Sequence, residues 1–124
     1  MSNCRNSRIL IADDEPYVLQ LLRDFLIGEG YDVTAVARGA EVLAAVPTVQ
    51  PDVILLDMLM PGLSGMDVFE ALRRASVTVP VIIISGTQEM VREGFFAVVA
   101  KPFDLTKLAE VVGAAVDLGR MPRA

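Results

Sequence analysis

The sequence predicts an α/β protein: three layers, with helices on both sides of one open, five-stranded parallel sheet. Three observations predict it. Short apolar runs alternate strictly with segments of helical periodicity, which is the pattern of a parallel sheet with right-handed crossovers. The runs Ile9 to Ala12, Val53 to Leu56 and Val81 to Ile84 are apolar at every position, so both of their faces are to be covered. The chain has 124 residues, 53% of them hydrophobic, enough for one compact domain and its core.

The elements follow in order. Arg8 to Ala12 is the first strand. Pro16 to Gly28 is a helix, with Val18, Leu21, Leu22, Phe25 and Leu26 on one face, stopped by Gly28 and Gly30. Asp32 to Val36 is the second strand. Gly39 to Val46 is a short helix that Pro47 ends. Asp52 to Leu56 is the third strand, Pro61-Gly62 a turn, and Gly65 to Ala75 a helix whose Arg73 and Arg74 fall on a solvent-facing edge. Pro80 to Ile84 and Ala97 to Ala100 are the fourth and fifth strands. Asp104 caps a last helix with Leu105, Leu108, Ala109, Val112 and Val116 on one face. Five strands in a chain of this length take the flavodoxin-like order 2-1-3-4-5. Residues 1–7 are expected to be a flexible tail, 8–118 the domain, and 119–124 a tail or the start of a linker.

Composition narrows the chemistry. The formal charge is −5, with 16 acidic and 11 basic residues and no basic cluster, so no nucleic-acid footprint is expected. No apolar run is long enough to span a bilayer, and the polar start, Met1 to Ser7, lacks the apolar core of a signal peptide. One cysteine, Cys4, and no histidine exclude an intrachain disulfide and an ordinary zinc site. A reducing cytoplasm is the expected compartment.

Sheets of this kind bind ligands beyond the carboxyl ends of their strands, at the switch point between strands one and three. The residues there are Asp13, Asp14 and Glu15; Asp57; Ser85, Gly86 and Thr87; and Lys101 before Pro102. Three aspartates brought together repel one another, so either some are protonated or a cation sits among them. All-oxygen ligands suit a hard ion such as Mg²⁺. A carboxylate is a competent nucleophile toward phosphorus, Lys101 offers a point charge to a phosphate oxygen, Ser85 offers a hydroxyl donor, and Gly86 leaves room for a phosphoryl group. Taken singly, each has a plainer explanation. Asp14 can cap the first helix, Asp57 can be a turn residue, Ser85 and Thr87 can be caps, and Lys101 can cover apolar surface with its stem. Their joint placement on one sheet edge, from four segments, favours a site.

These residues closely resemble the bacterial response-regulator receiver domain of the chemotaxis-regulator type. The resemblance runs from about Arg8 to Val116 and is carried by ILIADDEP (Ile9 to Pro16), PDVILLDMLMPGLSGMDVFEALR (Pro51 to Arg73), VPVIIISG (Val79 to Gly86) and AKPFDLTKL (Ala100 to Leu108). It implies that Asp57 is the phosphoacceptor. Asp13 and Asp14 are then the acidic pair that binds Mg²⁺ or Mn²⁺, with Asp57 and the Leu59 backbone carbonyl completing the site. Ser85 is the switch hydroxyl, and Lys101 pairs with the phosphoryl group next to a cis Lys101–Pro102 bond. Leu59 and Thr87 hold the positions that govern access of water. The implied partners are a sensor histidine kinase or phosphotransfer protein, and a downstream protein or attached output domain. Dimerisation on phosphorylation is compatible with the resemblance.

Two departures stand out. Val98 occupies the position, three before the lysine, where the family usually has Tyr or Phe. Lys101 follows Ser85 by sixteen positions, about six fewer than usual, which leaves Gln88 to Gly94 room for only a shortened fourth helix of about two turns. Both favour, as an alternative, a receiver-like binding module that works without phosphorylation. A flavodoxin-type flavin site would need an amide-rich loop where Asp13-Asp14-Glu15 stands. A phosphatase with an aspartyl nucleophile would need a second aspartate where Leu59 stands.

Overall fold

The computed structural model describes residues 6–86 and 94–120. The chain runs β1 (Arg8–Ala12), α1 (Pro16–Gly28), β2 (Asp32–Val36), α2 (Gly39–Val49), β3 (Val53–Asp57), α3 (Gly65–Arg74), β4 (Val81–Ser85), β5 (Ala97–Ala100) and α4 (Leu105–Arg120). All strand pairs are parallel, in the order β2-β1-β3-β4-β5, as expected. The expected short helix between the fourth and fifth strands falls on 88–94, of which only Gly94 is among the described residues. Cys4 and Thr87 also lie outside them.

The strands hold because each side of the sheet has its own core. Ile9, Ile11, Val53, Leu55, Ile82 and Ile84 pack with Leu22 and Leu26 of α1 and Leu108 and Val112 of α4. Leu10, Ile54, Leu56, Val81 and Ile83 pack on the other side with Val42 of α2 and Val68, Phe69 and Leu72 of α3. Every residue of β3 and β4 is buried, in keeping with the apolar runs Val53 to Leu56 and Val81 to Ile84 that make up all but their last residues. Helix α3 starts on a capping box: Ser64 Oγ accepts from the Asp67 N–H and the Asp67 carboxylate accepts from the Ser64 N–H.

Several expectations need correction. Helix α2 does not stop at Pro47 but runs to Val49 and ends on Gln50 in the left-handed region, φ 51°. Pro47 is exposed in the last turn, where its missing N–H costs a single bond to the Leu43 carbonyl. Strands β3 and β4 each begin and end one residue later than expected, so Asp57 and Ser85 are their last residues. Leu21 lies outside the buried stripe of α1 and is 47% exposed. The N-cap of α1 is Glu15, not Asp14. Ser7 is buried and its carbonyl accepts from the Asp32 N–H, so it belongs to the packed body, and α4 continues two residues past the expected boundary at 118.

Arg73 is also not a plain surface residue. It is half-buried over the Phe69 ring, 4.6 Å from its centre, and its guanidinium donates to the carbonyls of Val77, Val79 and Gly94. It thereby ties the end of α3 to the start of β4 and to the chain entering β5. Phe95 packs edge-on against Phe69 at 4.5 Å.

Gly65 sets how closely α3 approaches the end of β3. A Cβ at this position would lie 2.6 Å from the Asp57 carbonyl oxygen and 3.0 Å from Met58 Cα, both backbone atoms that cannot swing aside. Gly65→Ala is therefore expected to lower stability by about 1–3 kcal/mol in urea denaturation. Gly28→Ala, where a Cβ meets nothing, is the control and is expected to be neutral or stabilising.

Candidate functional site

The sheet order places β1 beside β3, so Asp13 and Asp57 emerge next to each other at the carboxyl edge. Backbone bonds hold both exits: the Asp13 N–H donates to the Val36 carbonyl and the Met58 N–H to the Ile84 carbonyl. Asp13 is fully buried, Asp57 and Ser85 are each 4% exposed, and Asp14 is exposed. One oxygen from each of Asp13, Asp14 and Asp57 lies within 4.8 Å of the others.

Lys101 enters from β5. Its N–H donates to the Ser85 carbonyl at 2.7 Å, which fixes the start of its side chain relative to β4. Its ammonium then reaches Asp57 Oδ2 at 3.3 Å, Glu15 Oε1 at 3.1 Å and Asp13 Oδ2 at 3.6 Å. The Lys101–Pro102 peptide is cis, as the resemblance implies.

The electrostatics follow from burial. Asp13 Oδ1 accepts the Glu15 N–H at 2.9 Å, but its buried Oδ2 has no hydrogen-bond donor among the described residues. Burial pushes the Asp13 carboxyl up from 3.8 to about 6; the Glu15 N–H and Lys101 oppose the rise, and the Asp57 carboxylate adds to it. Burial works against the Lys101 charge, yet the Glu15, Asp13 and Asp57 carboxylates outweigh it and hold the ammonium above its ordinary range. A buried carboxylate oxygen without a donor, facing two more carboxylates, is the environment a hard cation relieves. The donor set fits Mg²⁺.

The remaining expected residues fall as follows. Ser85 is at the buried end of β4, beside the Lys101 anchor. Leu59 donates its N–H to Asp57 Oδ1 at 3.3 Å and leaves its side chain 76% exposed. Asp57 thus also makes the turn contact that its plainer explanation predicts. Gly86 is exposed, and a Cβ there meets nothing, so packing within the chain does not demand glycine. Val98 is half-buried on β5 against the α2–α3 core. Glu15 is the contact that sequence reasoning left without a role: nothing local signals that a side chain 86 positions away will meet it.

The family model of the response regulator receiver domain matches residues 9–113. This chain belongs to the receiver-domain family. Among curated receiver proteins, the DNA-binding response regulator MtrA of Mycolicibacterium smegmatis is 35% identical over 113 residues, covering 86% of this chain and 49% of MtrA. Sporulation initiation phosphotransferase F of Bacillus subtilis is 33% identical over 113 residues, covering 86% of this chain and 91% of that protein. The chain spans about half the length of MtrA-type relatives and nearly all of the phosphotransferase. Among solved receiver structures, the response regulator TrrA of Thermotoga maritima in complex with Mg²⁺ and BeF superposes with a TM-score of 0.80 at 29% identity, over 88% of this chain and 98% of that one. Among the described residues, no helix is long and apolar enough to cross a membrane.

The raised Asp13 carboxyl gives the metal-free receiver domain a pH dependence. A folded-state value above the unfolded one stabilises fully below about pH 4, and that contribution is lost as pH rises through about 6. With a chelator present, stability is expected to decline across this window by on the order of 2–3 kcal/mol. Asp13→Asn is expected to remove the decline and to be the more stable protein at pH 8. An unchanged slope in the variant, measured by urea denaturation at several pH values, contradicts this origin.

Proposed function

We propose that this receiver domain takes a phosphoryl group onto Asp57 from a phosphohistidine of a sensor kinase or phosphotransfer protein, and changes conformation in response. The observation that carries the proposal is the meeting of Lys101 with Asp57 at 3.3 Å, across 44 residues of sequence, beside the buried Asp13.

In this reading an Asp57 carboxylate oxygen attacks phosphorus, the phosphorus–nitrogen bond breaks, and the freed imidazole takes up a proton. The product is an acyl phosphate on Asp57. Lys101 moves from the Asp57 carboxylate to a phosphoryl oxygen, and the Ser85 hydroxyl donates to another. Asp13, Asp14, Asp57 and the Leu59 carbonyl would hold Mg²⁺, which when bound supplies neutralisation of the charge on the transferred group. Burial of Asp57 limits competing water, and the apolar Leu59 beside it adds to that exclusion. The domain is a signalling switch that catalyses its own phosphorylation and slow dephosphorylation, not a turnover enzyme. A cytoplasmic location agrees with this role.

The route of the signal differs from an aromatic rotamer switch. Val98 offers no ring to rotate, and Phe95, upstream, is held by Phe69. The bond from the Lys101 N–H to the Ser85 carbonyl joins the two residues that would answer the phosphoryl group, so their shift moves the ends of β4 and β5 together. The reader of that surface is a downstream protein or an output domain; relatives such as MtrA are DNA-binding proteins of twice this length.

Incubation with acetyl phosphate and Mg²⁺, followed by intact-mass analysis, tests the proposal. One phosphoryl adduct is expected on the parent, dependent on Mg²⁺ and absent from Asp57→Asn. No adduct on a parent that binds Mg²⁺ would leave the phosphorylation-independent module, which Val98 favours, as the better account.

A further inference from the structure

Lys101 faces three carboxylates with one charge. Asp13 and Asp57 belong to the group of acids that fits a divalent cation; Glu15 does not. Yet Glu15 makes the shortest of the three contacts, 3.1 Å against 3.3 and 3.6 Å. Its backbone is fixed for the purpose. The Glu15 N–H donates to Asp13 Oδ1, its carbonyl accepts from the Leu19 N–H, and as N-cap of α1 it is followed by Pro16 at the first helical position. The base of the Glu15 side chain is therefore tied to the same Asp13 whose other oxygen faces Lys101.

A cation entering among Asp13, Asp14 and Asp57 repels the ammonium that neutralised two of them. The ammonium then needs another partner within reach, and Glu15 is already in contact. We infer that Glu15 is a positioning residue that holds the Lys101 ammonium while the cation occupies the aspartates, and releases it to the phosphoryl group. The inference rests on the reading of Asp57 as phosphoacceptor, and it gives Glu15 effects of opposite sign on two equilibria. Without Glu15, Lys101 rests on Asp13 and Asp57 alone and the cation must displace it, so Mg²⁺ binds more weakly. Without Glu15, the phosphoryl group no longer competes with another acid for Lys101, so the acyl phosphate is favoured once Mg²⁺ is saturating.

Glu15→Gln tests this in two measurements, with Glu110→Gln, an exposed acid on α4, as the control for net charge. Mg²⁺ affinity is read from amide chemical shifts of the unphosphorylated protein, which also confirm the fold. The ratio of phosphorylated to unphosphorylated protein is read by intact mass with acetyl phosphate at saturating Mg²⁺. For a half-exposed ion pair, each change is expected to be about two- to five-fold. Mg²⁺ binding weakens and the phosphorylated ratio rises in Glu15→Gln, while Glu110→Gln moves neither. A parent that phosphorylates, with a variant unchanged in both or reduced in both, overturns the inference and leaves the phosphoacceptor reading standing. A parent without an adduct overturns that reading and the handover with it.

Discussion

The arrangement depends on one buried carboxylate, Asp13, whose Oδ2 finds no hydrogen-bond donor among the described residues. A polar atom in that position destabilises the domain, and its surroundings fit a site held ready for an ion and a phosphoryl group. Three more acids crowd the same edge, and among the described residues Lys101 is the single cation in contact with Asp13, Glu15 and Asp57. Charge is unbalanced at this edge by construction. In the proposed reading, a divalent cation and then a phosphoryl group would redistribute Lys101 among its partners, and that redistribution would be the physical content of the switch.

Such an edge is tolerable because the sheet beneath it is so thoroughly buried. β3 and β4 are covered on both faces, and the two cores they separate are built mainly from branched aliphatic side chains. The strands therefore end where they end irrespective of the charge at their tips. Gly65 lets α3 close onto the Asp57 backbone, and Arg73 ties α3 to the chain that enters β5. The site residues come from four segments, but each ends a strand or lies in the short loop just past one, so their spacing is inherited from the sheet.

Much of this was legible in the sequence because the period of burial is written in residue type. Apolar runs of four marked the inner strands, and the residues just after them marked the site. The departures have local causes. Pro47 read as a helix stop, but in the last turn a proline removes only one bond, so α2 continues. Leu21 read as core from periodicity, which cannot say how wide the buried stripe is. Arg73 read as surface because no pattern in sequence announces carbonyls at Val77, Val79 and Gly94 turned toward one guanidinium. Glu15 was visible as an acid after β1, but its contact with Lys101 depends on side-chain reach across the folded edge. Val98 was legible as a departure, and the structure adds that Phe95, the nearby ring, is occupied with Phe69.

The central claim is that Lys101 and Ser85 converge on a phosphoryl group carried by Asp57. The most direct measurement is a crystal structure of this chain with Mg²⁺ and beryllofluoride, which mimics the acyl phosphate. The account predicts beryllium bonded to an Asp57 oxygen, the metal ion on Asp13, Asp14 and Asp57, and Lys101 and Ser85 on separate fluorides. Beryllofluoride absent from Asp57 at saturating concentrations, or bound there with Lys101 still on the carboxylates, would contradict it.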